Sequence, residues 1–198
     1  YKKLYLNAAD TSLQTTPVET ESQISYDGNT GKVEFDMAFD EDTELTGYMY
    51  LRLYVEADGH DDMDLFVNIQ KADASGRWIP WFTLNEPHPG AWGKMRVSRR
   101  ELDEKLSTKF CPVLAQKREL KLSKGEIVPV DIAIVPSSRF WHKGERIRVQ
   151  IAGRYIREGW FEPLAGDTDN HGNHIIHTGG QYGSFLQVPM IPTKYDYY

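Results

Sequence analysis

The stretch Leu45–Ala57 (LTGYMYLRLYVEA) restricts the fold more than any other segment, because its side chains alternate in character over thirteen residues. Such alternation indicates one long β-strand with two unlike faces, since successive side chains of a strand point to opposite sides of the sheet. The odd positions hold apolar or small residues, so this face is predicted to belong to the core. These residues are Leu45, Gly47, Met49, Leu51, Leu53, Val55 and Ala57.

The even face of this predicted strand is unusual, because three tyrosines and an arginine follow one another along it. They are Tyr48, Tyr50, Arg52 and Tyr54. Such a row is neither plainly solvent-facing nor plainly buried. Tyr and Arg are enriched where one protein surface covers another, so we expect this face to meet a second packing partner or to form a ligand platform.

Further alternating segments predict an all-β protein. Their predicted bounds are Tyr1–Leu6 (a short edge strand), Lys32–Phe39, Asp64–Lys71, Glu126–Val135, Glu145–Gly153, His174–Thr178 and Ser184–Met190. Pro129 lies on the polar side of its segment, which indicates an edge position or a bulge. Because strands do not alternate with helices, we predict a single antiparallel β-sandwich over residues 1–198, of the jelly-roll type.

One short helix is predicted between the strands. Ser98 and Glu101 match the capping-box pattern, which favours a helix over Arg99–Leu106 with Leu102 and Leu106 resting on the sheet. The stretch Ala72–Arg96 before it is predicted to be a long loop with weak strand character.

Size and charge limit the classes of function. A chain of 198 residues can bury roughly 70% of its unfolded surface without needing a disulfide or a metal ion. The net charge of −6 argues against nucleic acid as a partner, and no apolar run is long enough for a membrane span. Cys111 is the single cysteine, which leaves the compartment open, with the cytoplasm favoured. Because the chain starts at Tyr1 without a methionine or a secretory leader, we expect it to be an excised piece of a longer protein.

The sequence lacks the local motif of a serine hydrolase. A nucleophile elbow requires G-x-S-x-G, and Gly183-Ser184-Phe185 only approaches it. Self-contained serine hydrolysis is therefore not expected, and no cofactor is expected either.

Two groups of polar residues are weak metal candidates. His171, His174 and His177 suggest zinc, but strand parity places His171 and His177 on one face and His174 on the other. A calcium loop starting at Asp167 fails, because Thr178 stands where a bidentate Glu is needed. In the turn after the long strand, Asp58, Asp61, Asp62 and Asp64 suggest rim calcium, or alternatively a solvated turn with local hydrogen bonds. Of these residues, Asp62, Asp64, His171 and His177 are kept as candidates.

Aromatic residues are the stronger functional candidates. Besides the tyrosine row, they are Trp78, Trp81, Phe82 and Trp92 in the predicted loop. They exceed what one sandwich core obviously needs, although ordinary packing of the loop remains the alternative. Functionally, they could form a domain interface, line a substrate pocket, or stack on sugar rings in a free-standing carbohydrate-binding module.

Four spaced motifs follow one another along the chain: Asp62–Val67 (DMDLFV), Gly93–Arg100 (GKMRVSRR), Pro136–Arg148 (PSSRFWHKGERIR) and Ser184–Pro192 (SFLQVPMIP). Together they resemble a known family, the C-terminal domain of the X-Pro dipeptidyl-peptidase and cocaine-esterase group of acyl hydrolases. The resemblance spans Tyr1 to Pro192. Glu145 departs from the His that usually follows the glycine, and the Trp78–Trp92 segment is longer and more aromatic than is typical.

This resemblance implies a galactose-binding-like jelly roll docked on an α/β-hydrolase catalytic domain of the same polypeptide. It also implies that the catalytic Ser, Asp and His belong to that upstream domain, so none of them is transferred to this chain. A homo-oligomer is a further expected partner, whereas nucleic acid and membrane are not.

Overall fold

The computed structural model describes residues 1–83, 85–88, 90–156 and 168–192. In this part of the chain the strands are β1 (Lys2–Asn7), β2 (Ser12–Gln14), β3 (Ser22–Asp27), β4 (Lys32–Ala38), β5 (Thr43–Asp58), β6 (Asp64–Ala72), β7 (Trp78–Ile79), β8 (Trp81–Thr83), β9 (Glu86–His88), β10 (Ala91–Arg96), β11 (Val128–Trp141), β12 (Arg146–Ala152), β13 (Asn173–Thr178), β14 (Phe185–Val188) and β15 (Met190–Ile191). None of the described segments is a helix with the length and hydropathy that a membrane crossing requires.

Strand β5 confirms the prediction for Leu45–Ala57 and extends it by a residue or two at each end. Its odd residues are buried except at Gly47, whereas its even residues are partly or largely exposed. β5 pairs with β11 along one side and with β13, β14 and β15 in turn along the other. β5, the longest of the described strands, is therefore the central strand of its layer.

The strands form the two layers of a jelly-roll sandwich, as predicted. β10, β6, β12 and β4 are hydrogen-bonded in that order in one layer, and β5 with its partners forms the other. A single parallel bridge between Ser12 of β2 and Asp36 of β4 connects the layers, while the other ladders among the described strands are antiparallel. The buried residues of β5, β6, β11 and β12 make one continuous hydrophobic core between the layers.

The layers approach each other very closely at β10 and β11. A Cβ atom on Gly93 would lie only 2.3 Å from the carbonyl oxygen of Ala133. Glycine is therefore required at this position, because any side chain would collide with the backbone of the opposite layer.

The predicted helix over Arg99–Leu106 is wrong, because the structure has only a short 3-10 helix over Val97–Arg99. The carboxylate of Asp62 accepts the backbone N–H of Ser98 at 2.9 Å. Glu101, which was expected to complete the capping box, is instead paired with Arg118. Contacts with distant parts of the chain thus displaced the local capping pattern.

Three predictions about edges and loops also have clear outcomes. β1 is not an edge strand, because the unpredicted short strand β2 pairs with it opposite β14. Among the described strands β11 pairs only with β5, which confirms the edge position that Pro129 indicated. The predicted loop Ala72–Arg96 is mostly strand, since β10 pairs with β6 over its whole length and β8 and β9 form a separate hairpin.

Candidate functional site

The tyrosine row lies on the outer face of β5, as its parity requires, but its members are covered to different extents. Tyr48 is 50% exposed, whereas Tyr50, Arg52 and Tyr54 are partly buried. The row is thus open at one end and partly covered at the other.

An ion pair holds the middle of the row in place. Arg52 donates from Nε to Asp131 Oδ1 at 2.7 Å and from Nη2 to Oδ2 at 2.5 Å, which joins β5 to the facing residue of β11. This bidentate hydrogen bond raises the pKa of Arg52 above its ordinary value. The guanidinium group is therefore oriented along the sheet and engaged within the domain.

Aromatic rings of the same chain cover the Tyr54 end of the row. Tyr50 packs edge-on against Phe185 with ring centres 5.8 Å apart, and Tyr54 packs against Tyr182 at 5.6 Å. Burial beside Phe185 raises the pKa of the Tyr50 hydroxyl. At this end, the row is largely part of the domain's own packing.

Near the open end of the row lie other exposed apolar side chains, and we call this group the Tyr48 patch. It consists of Tyr1, Tyr48, Val135 and Ile191, which are 50, 50, 45 and 40% exposed. Val135 lies opposite Tyr48, in the β-bulge of β11. A Cβ on Gly47 would lie 3.5 Å from the Tyr1 hydroxyl, and Ile191 pairs with Glu44, which is an even, outward-facing position of β5. Strand register for Val135 and Ile191, and the closeness of Tyr1 to Gly47, therefore place all four residues near the same end of β5.

The tyrosine row and the β8–β9 hairpin lie on opposite sides of the β5–β11 ladder. Trp81 and Phe82, on the β8–β9 hairpin, are 41% and 68% exposed, while Trp78 and Trp92 are partly buried. The guanidinium group of Arg139 lies 5.3 Å from the Trp81 ring and donates to the Ile79 carbonyl at 2.6 Å. Arg139 pairs with Leu45, an inward-facing position, so the hairpin is on the inner side of the ladder.

Arg139 is a functional candidate that the sequence did not reveal. Burial lowers the pKa of its guanidinium group to about 10. Its Nη1 atom is buried and has no hydrogen-bond partner among the described residues. A partly buried guanidinium group beside the exposed Trp81 ring can hold the hairpin by a cation–π contact.

The carboxylates of Asp62 and Asp64 are used in internal contacts. Asp62 accepts the N–H groups of Met63 and Ser98, each at 2.9 Å. Burial tends to raise the pKa of Asp62, but the hydrogen bonds from Ser98 outweigh it and keep the pKa below its ordinary value. Asp64 forms a bidentate pair with Arg96 at 2.9 and 2.8 Å. Asp62 thus connects the turn before β6 to the segment around Ser98, whereas Asp64 joins β6 to β10.

The structure separates the three histidines that suggested zinc. His174 is fully buried beside Tyr26, and burial lowers its pKa to about 4. His177 lies on the other face of β13, with Nε2 3.0 Å from a carboxylate oxygen of Glu56. His171 lies instead beside His60 and Asp169. Asp167, the first residue of the considered calcium loop, lies outside the described residues.

The Ser184 side chain has a structural role and is not positioned to act as a nucleophile. It is 1% exposed, and its hydroxyl donates to the backbone carbonyl of His177 at 2.8 Å. The same oxygen accepts the N–H of Tyr54 at 3.1 Å. The His177 imidazole contacts Glu56 and not the serine, so these residues do not form the relay that activates a serine.

A protein-family model and several solved structures match the chain over nearly its whole length. The profile of the X-Pro dipeptidyl-peptidase C-terminal non-catalytic domain matches residues 1–187. A CocE/NonD family hydrolase from Staphylococcus aureus is 38% identical with a TM-score of 0.90, and the match covers 96% of this chain and 36% of that protein. No curated protein sequence matches.

Two more distant structures share the fold. An aminopeptidase from a marine sediment archaeon of the Thaumarchaeota is 16% identical with a TM-score of 0.66, over 97% of this chain and 37% of that protein. An alpha-amino acid ester hydrolase is 13% identical with a TM-score of 0.66, over 96% of this chain and 36% of that protein. The chain thus spans about a third of the length of these proteins. On the strength of the profile match and the 38% identity, the chain belongs to the family of X-Pro dipeptidyl-peptidase C-terminal non-catalytic domains.

Proposed function

We propose that this chain is the C-terminal docking domain of an acyl hydrolase that acts on an ester or on an amide such as an X-Pro peptide. The domain packs on an α/β-hydrolase catalytic domain of the same polypeptide and helps to shape its substrate entrance. Support comes from the family and from the 36% coverage of the CocE/NonD hydrolase, which leaves most of that protein's length for other domains. Self-association into a homo-oligomer is a further role that the same surfaces could serve.

The observation that carries the proposal is the Tyr48 patch. Four large apolar side chains from four segments, each at least 40% exposed, lie near the same end of β5. Clustered exposure of this kind marks an interaction surface, whereas single exposed apolar residues are normal. Tyrosine is also enriched at the centres of interfaces, where it combines a large apolar ring with a polar tip.

The Arg52–Asp131 pair prepares this surface for docking. Because the guanidinium group is already engaged by a carboxylate, covering the face would not leave an unpaired charge buried. The Tyr50 and Phe185 rings are likewise ordered before any partner binds. A pre-ordered surface loses less side-chain entropy on docking.

Docking is tested in the full-length polypeptide with Tyr48→Ser, using Lys124→Ser as the control. Lys124 is exposed and lies near the opposite end of β5, because Val128 pairs with Val55. We expect Tyr48→Ser to weaken interdomain docking about tenfold, or about 1.4 kcal/mol, measured as faster proteolysis at the domain junction. The control should be cleaved at the wild-type rate. If Tyr48→Ser is also cleaved at that rate and Phe82→Ser is cleaved faster, docking uses the hairpin instead.

The exposed hairpin supports one alternative, a carbohydrate-binding module. Trp81 and Phe82 present rings outward, as residues that stack on sugars do. Affinity-gel retardation of the isolated chain by polysaccharides, lost in Trp81→Ala, would favour this alternative. Absence of retardation with every glycan tested would leave docking as the proposed function.

A further inference from the structure

Two histidines face each other where the ladder between β5 and β13 ends. The last pair of this ladder is Asp58 with Asn173. Continuing the same register by two residues places His60 opposite His171, and their ring centres are 4.7 Å apart. The pairing therefore brings together two side chains that are far apart in the sequence.

The glycines between these residues allow the two loops to touch. Gly59 and Gly172 both have positive φ angles, of 102° and 70°. A Cβ on Gly172 would lie 2.0 Å from the carbonyl oxygen of Asp58, so only glycine permits this close approach. The N–H of Gly28 donates to the Gly172 carbonyl at 2.9 Å and anchors the loop from a third segment. The two histidines are thus held by a defined backbone arrangement.

Asp169 adds a carboxylate to this pair. Its Oδ1 lies 3.7 Å from Nε2 of His171, and one ligand atom from each of His60, Asp169 and His171 lies within 4.8 Å of the others. Among the described residues this is the one group of three with such spacing. It combines two imidazoles with a carboxylate, a ligand set typical of zinc and related transition metals.

Buried hydrogen bonds hold the segment that contains Asp169 and His171. Asn170 is 3% exposed; its side-chain oxygen accepts the Asp64 N–H at 2.8 Å, and its amide donates to the Gly153 carbonyl at 2.5 Å. The N–H of Asp169 also donates to Asp64 at 2.9 Å. The backbone of this segment is thus fixed, whereas the side chains of Asp169 and His171 remain free to turn towards an ion.

His60 has the orienting contact that metal-binding histidines usually have. Its Nδ1 lies 3.3 Å from the Asp62 carbonyl oxygen, which can accept a hydrogen bond from Nδ1–H and so leave the Nε2 lone pair for a metal. Asp61 lies 3.8 Å from the same ring and adds negative charge, which Lys121, at 3.4 Å from Asp61, partly offsets.

We propose that His60, Asp169 and His171 form a binding site for a divalent transition-metal ion of the Zn²⁺ class. Ligand atoms around a tetrahedral zinc ion are about 3.4 Å apart, so rotation of the exposed side chains is needed to bring the three donors together. Solvent supplies the remaining position. The ion joins the β5–β6 turn to the segment before β13 and stabilises this rim of the sandwich. Calcium and magnesium are disfavoured, because they prefer oxygen ligands.

The test titrates the tag-free chain with Zn²⁺ by calorimetry and with Co²⁺ by visible absorption, which reports coordination by protein ligands. Variants His60→Ala, Asp169→Asn and His171→Ala are compared with His142→Ala. His142 is a matched control, because it is an exposed histidine 3.7 Å from the carboxylate of Asp42, outside the proposed site.

We expect the wild type and His142→Ala to bind one Zn²⁺ per chain and to gain in Tm with added Zn²⁺. Each of the three site variants should bind at least tenfold more weakly and lose both the Co²⁺ absorption band and the gain in Tm. The proposal is overturned if the wild type shows no Co²⁺ band and no saturable Zn²⁺ binding. It is also overturned if the three site variants bind as tightly as His142→Ala, since the metal would then lie elsewhere.

Discussion

The two ends of β5 have the same alternating pattern but different surroundings. At the Tyr54 end the outer face is covered by Tyr182 and by the paired His177 and Glu56. At the Tyr48 end the outer face is open, and Val135 beside it is exposed as well. The inner faces do not differ in this way, since Leu45 and Leu53 are both essentially inaccessible. Alternation thus determines which side of a strand meets the core, but not what covers the other side.

The largest expected effect on stability comes from substitutions on the inner face of β5, and it tests whether this face is equally buried at both ends of the strand. Leu45→Ala and Leu53→Ala should each lower the free energy of unfolding by about 3 kcal/mol, because each leaves a cavity in the core. Urea unfolding of the two variants measures the difference. The exposed Leu106→Ala is the control and should change stability by less than about 0.5 kcal/mol. A cost below about 1 kcal/mol at Leu45 would mean that the core does not reach the open end.

The second prediction concerns pH and applies only to the covered end, where His174 pairs with Ala57. Burial lowers the pKa of His174 from its ordinary value of 6.5 to about 4 in the folded chain. Between these values the unfolded chain binds the proton and the folded chain does not. Stability should therefore fall as pH decreases from 6.5 towards 4, by up to about 3 kcal/mol.

Urea unfolding at several pH values between 4 and 7 measures this loss, and NMR of the His174 ring follows its protonation. The variant His174→Gln removes the titrating group, so its stability should vary less with pH over the same range. If the ring of the folded protein titrates near pH 6.5, the burial argument is wrong.

A third prediction compares the outer face at the two ends. In this chain alone, Tyr54→Ala should cost about 1–2 kcal/mol, because it removes the ring that packs on Tyr182. Tyr48→Ala should change the stability of this chain by less than about 0.5 kcal/mol, because half of its ring is already in water. Denaturant unfolding separates the two variants. Equal costs at both positions would remove the distinction between a covered and an open end.

The smallest expected effect on stability concerns the Arg52–Asp131 ion pair, which lies between the Tyr48 and Tyr54 ends of β5. A double-mutant cycle with Arg52→Ala and Asp131→Ala should give a coupling of about 0.5–1 kcal/mol. The value is modest because the Arg52 side chain is 38% exposed and solvent screens the pair. Added salt should reduce the coupling further. A coupling unchanged at high salt would show that the pair is less accessible to solvent than its exposure indicates.

Several features were predictable because their causes are local. The bounds of β5 and β12 were nearly correct, since a buried face produces a pattern with a period of two wherever it occurs. The edge position of β11 was predictable from Pro129, which has no backbone N–H to donate. The family was recognisable from four motifs that recur in order, and the profile match over residues 1–187 confirms it.

Other predictions were wrong where contacts with distant residues replace the local hydrogen bonds that a sequence pattern indicates. The helix predicted after Ser98 is absent, because Asp62 takes the N–H that the capping box would have used and Arg118 takes the Glu101 carboxylate. The order of β2 and β1 was missed, because a three-residue strand gives almost no periodic signal. His60 was not identified as a candidate ligand, because only the register between β5 and β13 brings it close to His171.

By itself, the sequence determined that this protein is an all-β sandwich built on one long strand, and to which family it belongs. These properties follow from side-chain alternation and from ordered motifs, which are present in the chain before it folds. Only the tertiary structure decided that Tyr54 is covered while Tyr48 is open, and that His171 meets His60 and not His177. The physical reason is that burial and metal-binding geometry depend on which distant segments pair and in which register, and neither is encoded in any one segment.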